Sequence, residues 1–107
     1  MTLRNQLPAT ALLFTLCLGG PVLAQNSAAL QTRSLAATCA ACHGTEGRSA
    51  TGSAVVGLAG IPREVMVAQL KAFKDGSRPA TMMHQLTKGY TDQQVENLAT
   101  YFAAVKP

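Results

Sequence analysis

Three stretches of the chain repeat apolar residues at helical spacing, and the segments between them do not. From Leu30 to Cys42 the sequence is rich in alanine and free of proline and glycine, a composition that favours helix. Leu35, Cys39 and Cys42 fall four and three residues apart there, on one face. A second helix is expected to start at Pro62, whose missing N–H costs nothing in a first turn, and to end at Asp75 before Gly76. Met66, Leu70 and Phe73 mark its buried stripe. The third opens on Thr91-Asp92-Gln93-Gln94, a capping box, and carries Val95, Leu98, Ala99, Phe102 and Val105 on one face, with Tyr101 at its edge. Gln25 to Ala29 is a polar, small-residue start expected to fray. Residues 44–60 hold five glycines and no period, so an irregular loop is expected, with Val55, Val56 and Leu58 turned inward. Residues 76–89 form a second irregular segment, with room for one helical turn over Gln85 to Lys88. No strand pattern and no repeat is visible. The expected fold is all-α, three main helices and two long loops.

Ahead of the first helix the sequence changes character. A basic start at Arg4, an apolar run from Ala11 to Leu18 and then Gly19-Gly20-Pro21-Val22-Leu23-Ala24 describe a secretory signal cut after Ala24. The run is too short to span a bilayer. The expected organisation is a signal peptide over 1–24, which takes Cys17 with it, and one domain over 25–107. Those 83 remaining residues are few for a self-sufficient apolar core. Something other than protein is expected to help fill it.

The chemistry that answers this lies in Cys39-Ala40-Ala41-Cys42-His43. Two cysteines three apart with a histidine next read as a site of covalent haem c attachment. Residues three apart share a face of a helical turn, so both sulfurs reach one edge of a porphyrin while the imidazole lies under the iron. A structural zinc site takes four cysteine or histidine ligands, and only the strained set Cys39, Cys42, His43 and His84 is on offer. A thioredoxin-like pair needs a βαβ context that this chain lacks. Because c-type haem is attached outside the bacterial cytoplasm, the reading agrees with export to the periplasm.

An electron carrier wants a second strong axial ligand beside His43. Met66 falls on a core stripe and reads as packing. Met82, Met83 and His84 follow Pro79 in the second irregular segment, where a side chain can fold over the opposite face of the ring. A thioether there raises the reduction potential relative to a second histidine. The residues themselves leave Met82 and Met83 equally open. The net charge of +4 falls to +3 once Arg4 leaves with the signal, and haem propionates remove up to about two more. No basic stripe with interleaved aromatics points to nucleic acid. Arg48, Lys71, Lys74, Arg78 and Lys88 are candidates for a docking rim, with Arg78 also a candidate partner for a haem propionate.

From Cys39 to its end the chain resembles the small class I monohaem cytochromes c of bacteria. The resemblance rests on C-x-x-C-H-G, Leu58-Ala59-Gly60, Phe73 with Gly76 and Arg78, a methionine, and Leu98-Ala99-Thr100-Tyr101-Phe102. In that family the ligand methionine stands seven residues before the residue that precedes the Ser/Thr-Asp cap. Here that residue is Tyr90, so the resemblance implies Met83, with Met82 and His84 as second choices. Relatives usually carry a proline two residues before the leucine of Leu58-Ala59-Gly60, and its carbonyl holds the haem histidine; this chain has Val56. The pattern from Gly60 to Arg78 and from Met83 to Asp92 is most similar to the cytochrome subunit of flavocytochrome c sulfide dehydrogenase. That implies a periplasmic electron carrier with no catalytic residues of its own, fed by a sulfide-oxidising flavoprotein. The alternatives are a free soluble shuttle and, in a different class, a ligand-binding haem protein with a labile sixth ligand.

Overall fold

The computed structural model describes residues 20–107, all helix and loop. Most of the expected signal peptide, residues 1–19, lies outside the described residues. The elements are α1 (Gly20–Ala37), α2 (Ala40–His43), a 3-10 turn (Thr45–Gly47), α3 (Arg63–Asp75), α4 (Met83–Lys88) and α5 (Asp92–Ala104). None of these helices is long and apolar enough to cross a membrane.

The first helix departs from expectation at both ends. It begins at Gly20 rather than Leu30, with Pro21 in its first turn and no breaker until Thr38. It also stops short of the cysteines. The amides of Thr38 and Cys39 donate to Leu35 and Ala36 at 3.1 Å, three residues back instead of four. The Thr38 hydroxyl donates to the same Leu35 carbonyl at 2.7 Å. A side chain competing for backbone acceptors in this way tightens and ends a helix. The chain restarts as α2, and the amide of His43 donates to the Cys39 carbonyl at 2.9 Å. Cys39 to His43 is therefore one separate turn, aimed independently of α1.

The core is built on α5, which packs on α1 and on α3, while α4 packs on α3. Val95, Leu98, Ala99 and Phe102 are buried on α5, Met66 and Leu70 on α3, and Ala36 on α1. Val105 lies just past the end of α5, as its C-cap, and Phe73 is half-buried. Pro62 caps α3 from outside its first turn, and Gly76 closes it at φ +84°. The turn expected over Gln85 to Lys88 starts two residues earlier, at Met83.

The glycine-rich loop is fixed at one point. Gly47, buried with φ +74°, lies against Leu58 and the Phe102 ring, and a Cβ there would come within 2.9 Å of both. Its carbonyl accepts from the amides of Leu58 and Ala59 at 2.7 and 3.1 Å. The loop thus folds back on itself over α5. Of its apolar residues Leu58 packs against the core and Val55, though 38% exposed, lines the same cavity as Leu58, whereas Val56 is 66% exposed and turns outward. The backbone of Val56, and not its side chain, is what the fold uses.

The capping box is complete: Gln94 N donates to Thr91 Oγ1 at 3.1 Å and Thr91 N to Gln94 Oε1 at 2.8 Å. Thr91→Ala is expected to destabilise the protein by about 1 kcal/mol, the usual cost of a lost N-cap, in urea denaturation followed by far-ultraviolet circular dichroism.

Candidate functional site

One apolar cavity of about 360 Å³ gathers most of the residues singled out from the sequence. Cys39, Cys42 and His43 line it together with Met82 and Met83 and with the apolar residues Leu58, Met66, Leu70, Leu98 and Phe102. Met83 packs against the core, whereas Met82 is 63% exposed. His84 does not line the cavity; its Nδ1 is buried elsewhere with no hydrogen-bond partner. Among the described residues no three of His, Cys, Asp or Glu converge on a point, so the zinc set weighed from the sequence is not assembled.

The histidine is oriented by the loop. Nδ1 of His43 lies 2.6 Å from the Val56 carbonyl oxygen. A carbonyl only accepts, so Nδ1 carries a proton, and in the neutral ring the lone pair is then on Nε2. Such a contact is the usual way a ligating imidazole is held in one tautomer and one orientation. The carbonyl that the resemblance assigns to a proline is supplied here by Val56. Ser49 holds the same loop close: its hydroxyl lies 2.8 Å from the Val55 carbonyl and 3.2 Å from that of His43. Gly44 makes the exit from the turn, at φ +82° with its Cα hard against the Arg48 carbonyl, where a Cβ would come within 2.0 Å.

No disulfide joins Cys39 to Cys42. Burial pushes the Cys39 thiol above its ordinary pKa, against a smaller opposing effect of Thr38. Two sulfurs on one turn lining an apolar cavity, with an imidazole beside them, fit a flat apolar ring with a metal at its centre.

A family model of cytochrome c matches residues 28–106. The chain belongs to the cytochrome c family. It is 39% identical over 72 residues to the thiosulfate dehydrogenase electron acceptor of Thiomonas intermedia, covering 67% of this chain and 33% of that one. It is 40% identical over 68 residues to the cytochrome subunit of sulfide dehydrogenase of Chlorobaculum tepidum, covering 64% and 60%. It is 36% identical over 96 residues to cytochrome c4 of Pseudomonas aeruginosa, covering 90% and 47%. The chain thus spans between about a third and three fifths of these curated relatives. As a cytochrome c it carries covalent haem c, with Cys39 and Cys42 in the C-x-x-C-H motif.

The rim expected from the sequence is largely spoken for. Arg48 pairs with Glu46 and donates to the Lys106 carbonyl, Lys71 faces Glu96 at 4.0 Å, and Lys74 bonds the Tyr90 carbonyl and Asp92. Arg78 does not line the cavity: its guanidinium stacks 4.6 Å over the Phe73 ring and bonds Gln69. Lys88 alone of the five has no hydrogen-bond or ion-pair partner among the described residues.

Tyr90, which sequence reasoning treated only as a spacing marker, also lines the cavity. Its phenol is held above the ordinary value of 10.0, first by burial and then by the nearby Cys39 sulfur. Thioether formation removes the charge on that sulfur but leaves the burial. A phenol whose pKa is raised by folding contributes nothing to pH dependence below its unfolded value and costs stability as pH rises past it. Spectrophotometric titration of the holoprotein is expected to show a phenolate component above pH 10 that Tyr90→Phe removes. Stability should then fall less steeply with pH in Tyr90→Phe than in the parent.

Proposed function

We propose that this cytochrome c is exported to the periplasm, with the leader cut after Ala24, and works as a one-electron carrier with both axial positions of its iron filled. Cys39 and Cys42 hold the ring through thioethers. Nε2 of His43 is one ligand and the Met83 sulfur the other. The observation that carries this reading is that a loop-oriented His43 and a core-packed Met83 line the same apolar cavity. When bound, the haem supplies the reversible Fe(III)/Fe(II) couple. The chain's part is to keep His43 oriented, to keep water from the iron with Leu58, Met66, Leu70 and Phe102, and to close the sixth position with a thioether. A site closed on both sides moves little when its charge changes, and this suits electron transfer rather than ligand capture.

The partner proposed is a flavoprotein that oxidises sulfide and passes electrons on singly. Support comes from the similarity to the cytochrome subunit of sulfide dehydrogenase. A free shuttle is the second reading, favoured by comparable similarity to a thiosulfate dehydrogenase electron acceptor. Copurification separates the two: a subunit retains a flavin-containing partner through gel filtration, and a shuttle elutes alone.

Two substitutions test the ligand. Met83→Ala is expected to abolish the weak far-red charge-transfer band of the oxidised protein and to lower its reduction potential. Met82→Ala is expected to keep both. The opposite pattern would move the thioether ligand to Met82, and a Met83→Ala, Met82→Ala pair that both keep the band would remove methionine ligation by either alone.

A further inference from the structure

The segment that carries Met83 leaves α3 at Gly76 and rejoins the core at α5, and a single lysine bridges its two ends. Lys74 lies in the last turn of α3, immediately before the segment. Its Nζ donates to the backbone carbonyl of Tyr90, the last residue of the segment, at 2.7 Å, and lies 3.3 Å from Asp92 Oδ1. The lysine side chain is about one-third exposed, while Asp92 is largely in solvent. The first contact is therefore a charge-assisted hydrogen bond in a partly dry setting, and the second is a screened surface pair.

Apolar packing of α4 on α3 and of Met83 on the core holds the middle of the segment, and hydrogen bonds hold its ends. At its start the chain is pinned by its own backbone: Arg78 N donates to the Ala72 carbonyl at 3.0 Å and Ser77 N to Asp75 Oδ1 at 2.8 Å. The stretch 79–82 then makes no backbone hydrogen bond through its own amides among the described residues, and only α4 follows before Tyr90. Within α4 the buried Thr87 hydroxyl donates to the Met83 carbonyl at 2.8 Å, a bond internal to the helix. The hydrogen-bonded closure of the loop is thus the Lys74–Tyr90 bridge.

We infer that Lys74 is a positioning residue for the sixth ligand: its ammonium on the Tyr90 carbonyl closes the neck of the loop that presses Met83 onto the iron, and so sets how often the thioether lets go. The inference rests on the reading of Met83 as ligand. It differs from a docking role for Lys74, because the charge is turned onto the protein's own backbone.

The test uses the oxidised holoprotein and imidazole as an entering ligand. At saturating imidazole the rate of binding is limited by release of the methionine. Lys74→Met is expected to raise that limiting rate about ten-fold, the scale of one lost hydrogen bond to a charged group, with thioether attachment intact. Lys74→Gln, which keeps a donor of shorter reach, should fall between it and the parent and serves if Lys74→Met does not accumulate. Lys74→Arg should return the rate to within about two-fold of the parent. Arg63→Gln, which breaks the surface pair with Glu96 away from the neck, should leave it unchanged. A limiting rate in Lys74→Met or Lys74→Gln equal to the parent's would overturn the inference, as would equal acceleration in Arg63→Gln. Failure of the ligand reading shows separately, as a far-red band that survives Met83→Ala.

Discussion

The site depends on one hydrogen bond between a side chain and a distant carbonyl. Nδ1 of His43 donates to Val56, thirteen residues on, and this decides which imidazole nitrogen faces the cavity. An imidazole in the other tautomer would offer an N–H where a lone pair is needed. Much of the surrounding loop keeps that carbonyl in place. Gly47 packs its bare backbone against Phe102 and receives Leu58 and Ala59, and Ser49 gathers the strand of chain on either side of Val55. The rigidity that a proline would give is replaced by these contacts. A small domain thus spends its most conformationally demanding segment, the glycine-rich loop, on orienting one ring.

The two sides of the cavity are held by different physics. On the histidine side the proposed ligand belongs to the same helical turn as the two sulfurs, so attachment and ligation would be set by local geometry. On the methionine side the proposed ligand, Met83, sits on a segment anchored by apolar packing of α4 on α3 and by a lysine at the neck. Local geometry is robust to loosening of the fold; a loop is not. Loss of tertiary packing should therefore release the methionine side first, and this is where a cytochrome of this build meets its limit of stability.

The sequence made the periodic elements and the attachment turn readable because both are local. The stripe of α5, its capping box, the end of α3 at Gly76 and the C-x-x-C-H turn follow from residues within a few positions of one another. What escaped is what depends on competition or on distance. Thr38 ends α1 by taking the Leu35 carbonyl, although nothing in the alanine-rich run breaks a helix by propensity. Val56 reads as an inward apolar residue, yet its side chain is exposed because the fold needs its carbonyl. Arg78 reads as a cation for the cavity, yet Phe73 and Gln69 hold it on the far side of α3's end. Lys74 reads as a surface charge, and only the three-dimensional return of the chain to Tyr90 gives it a partner. Of the neighbours of Met83 in sequence, Met82 is far more exposed and His84 does not line the cavity, for the same reason.

The most direct test is a proton–nitrogen correlation spectrum of the reduced, diamagnetic holoprotein with labelled histidine. The account predicts that His43 Nδ1 bears a proton slow to exchange with solvent and that Nε2 bears none. A His43 ring protonated at Nε2, or one whose Nδ1 proton exchanges as freely as that of an exposed histidine, would contradict it.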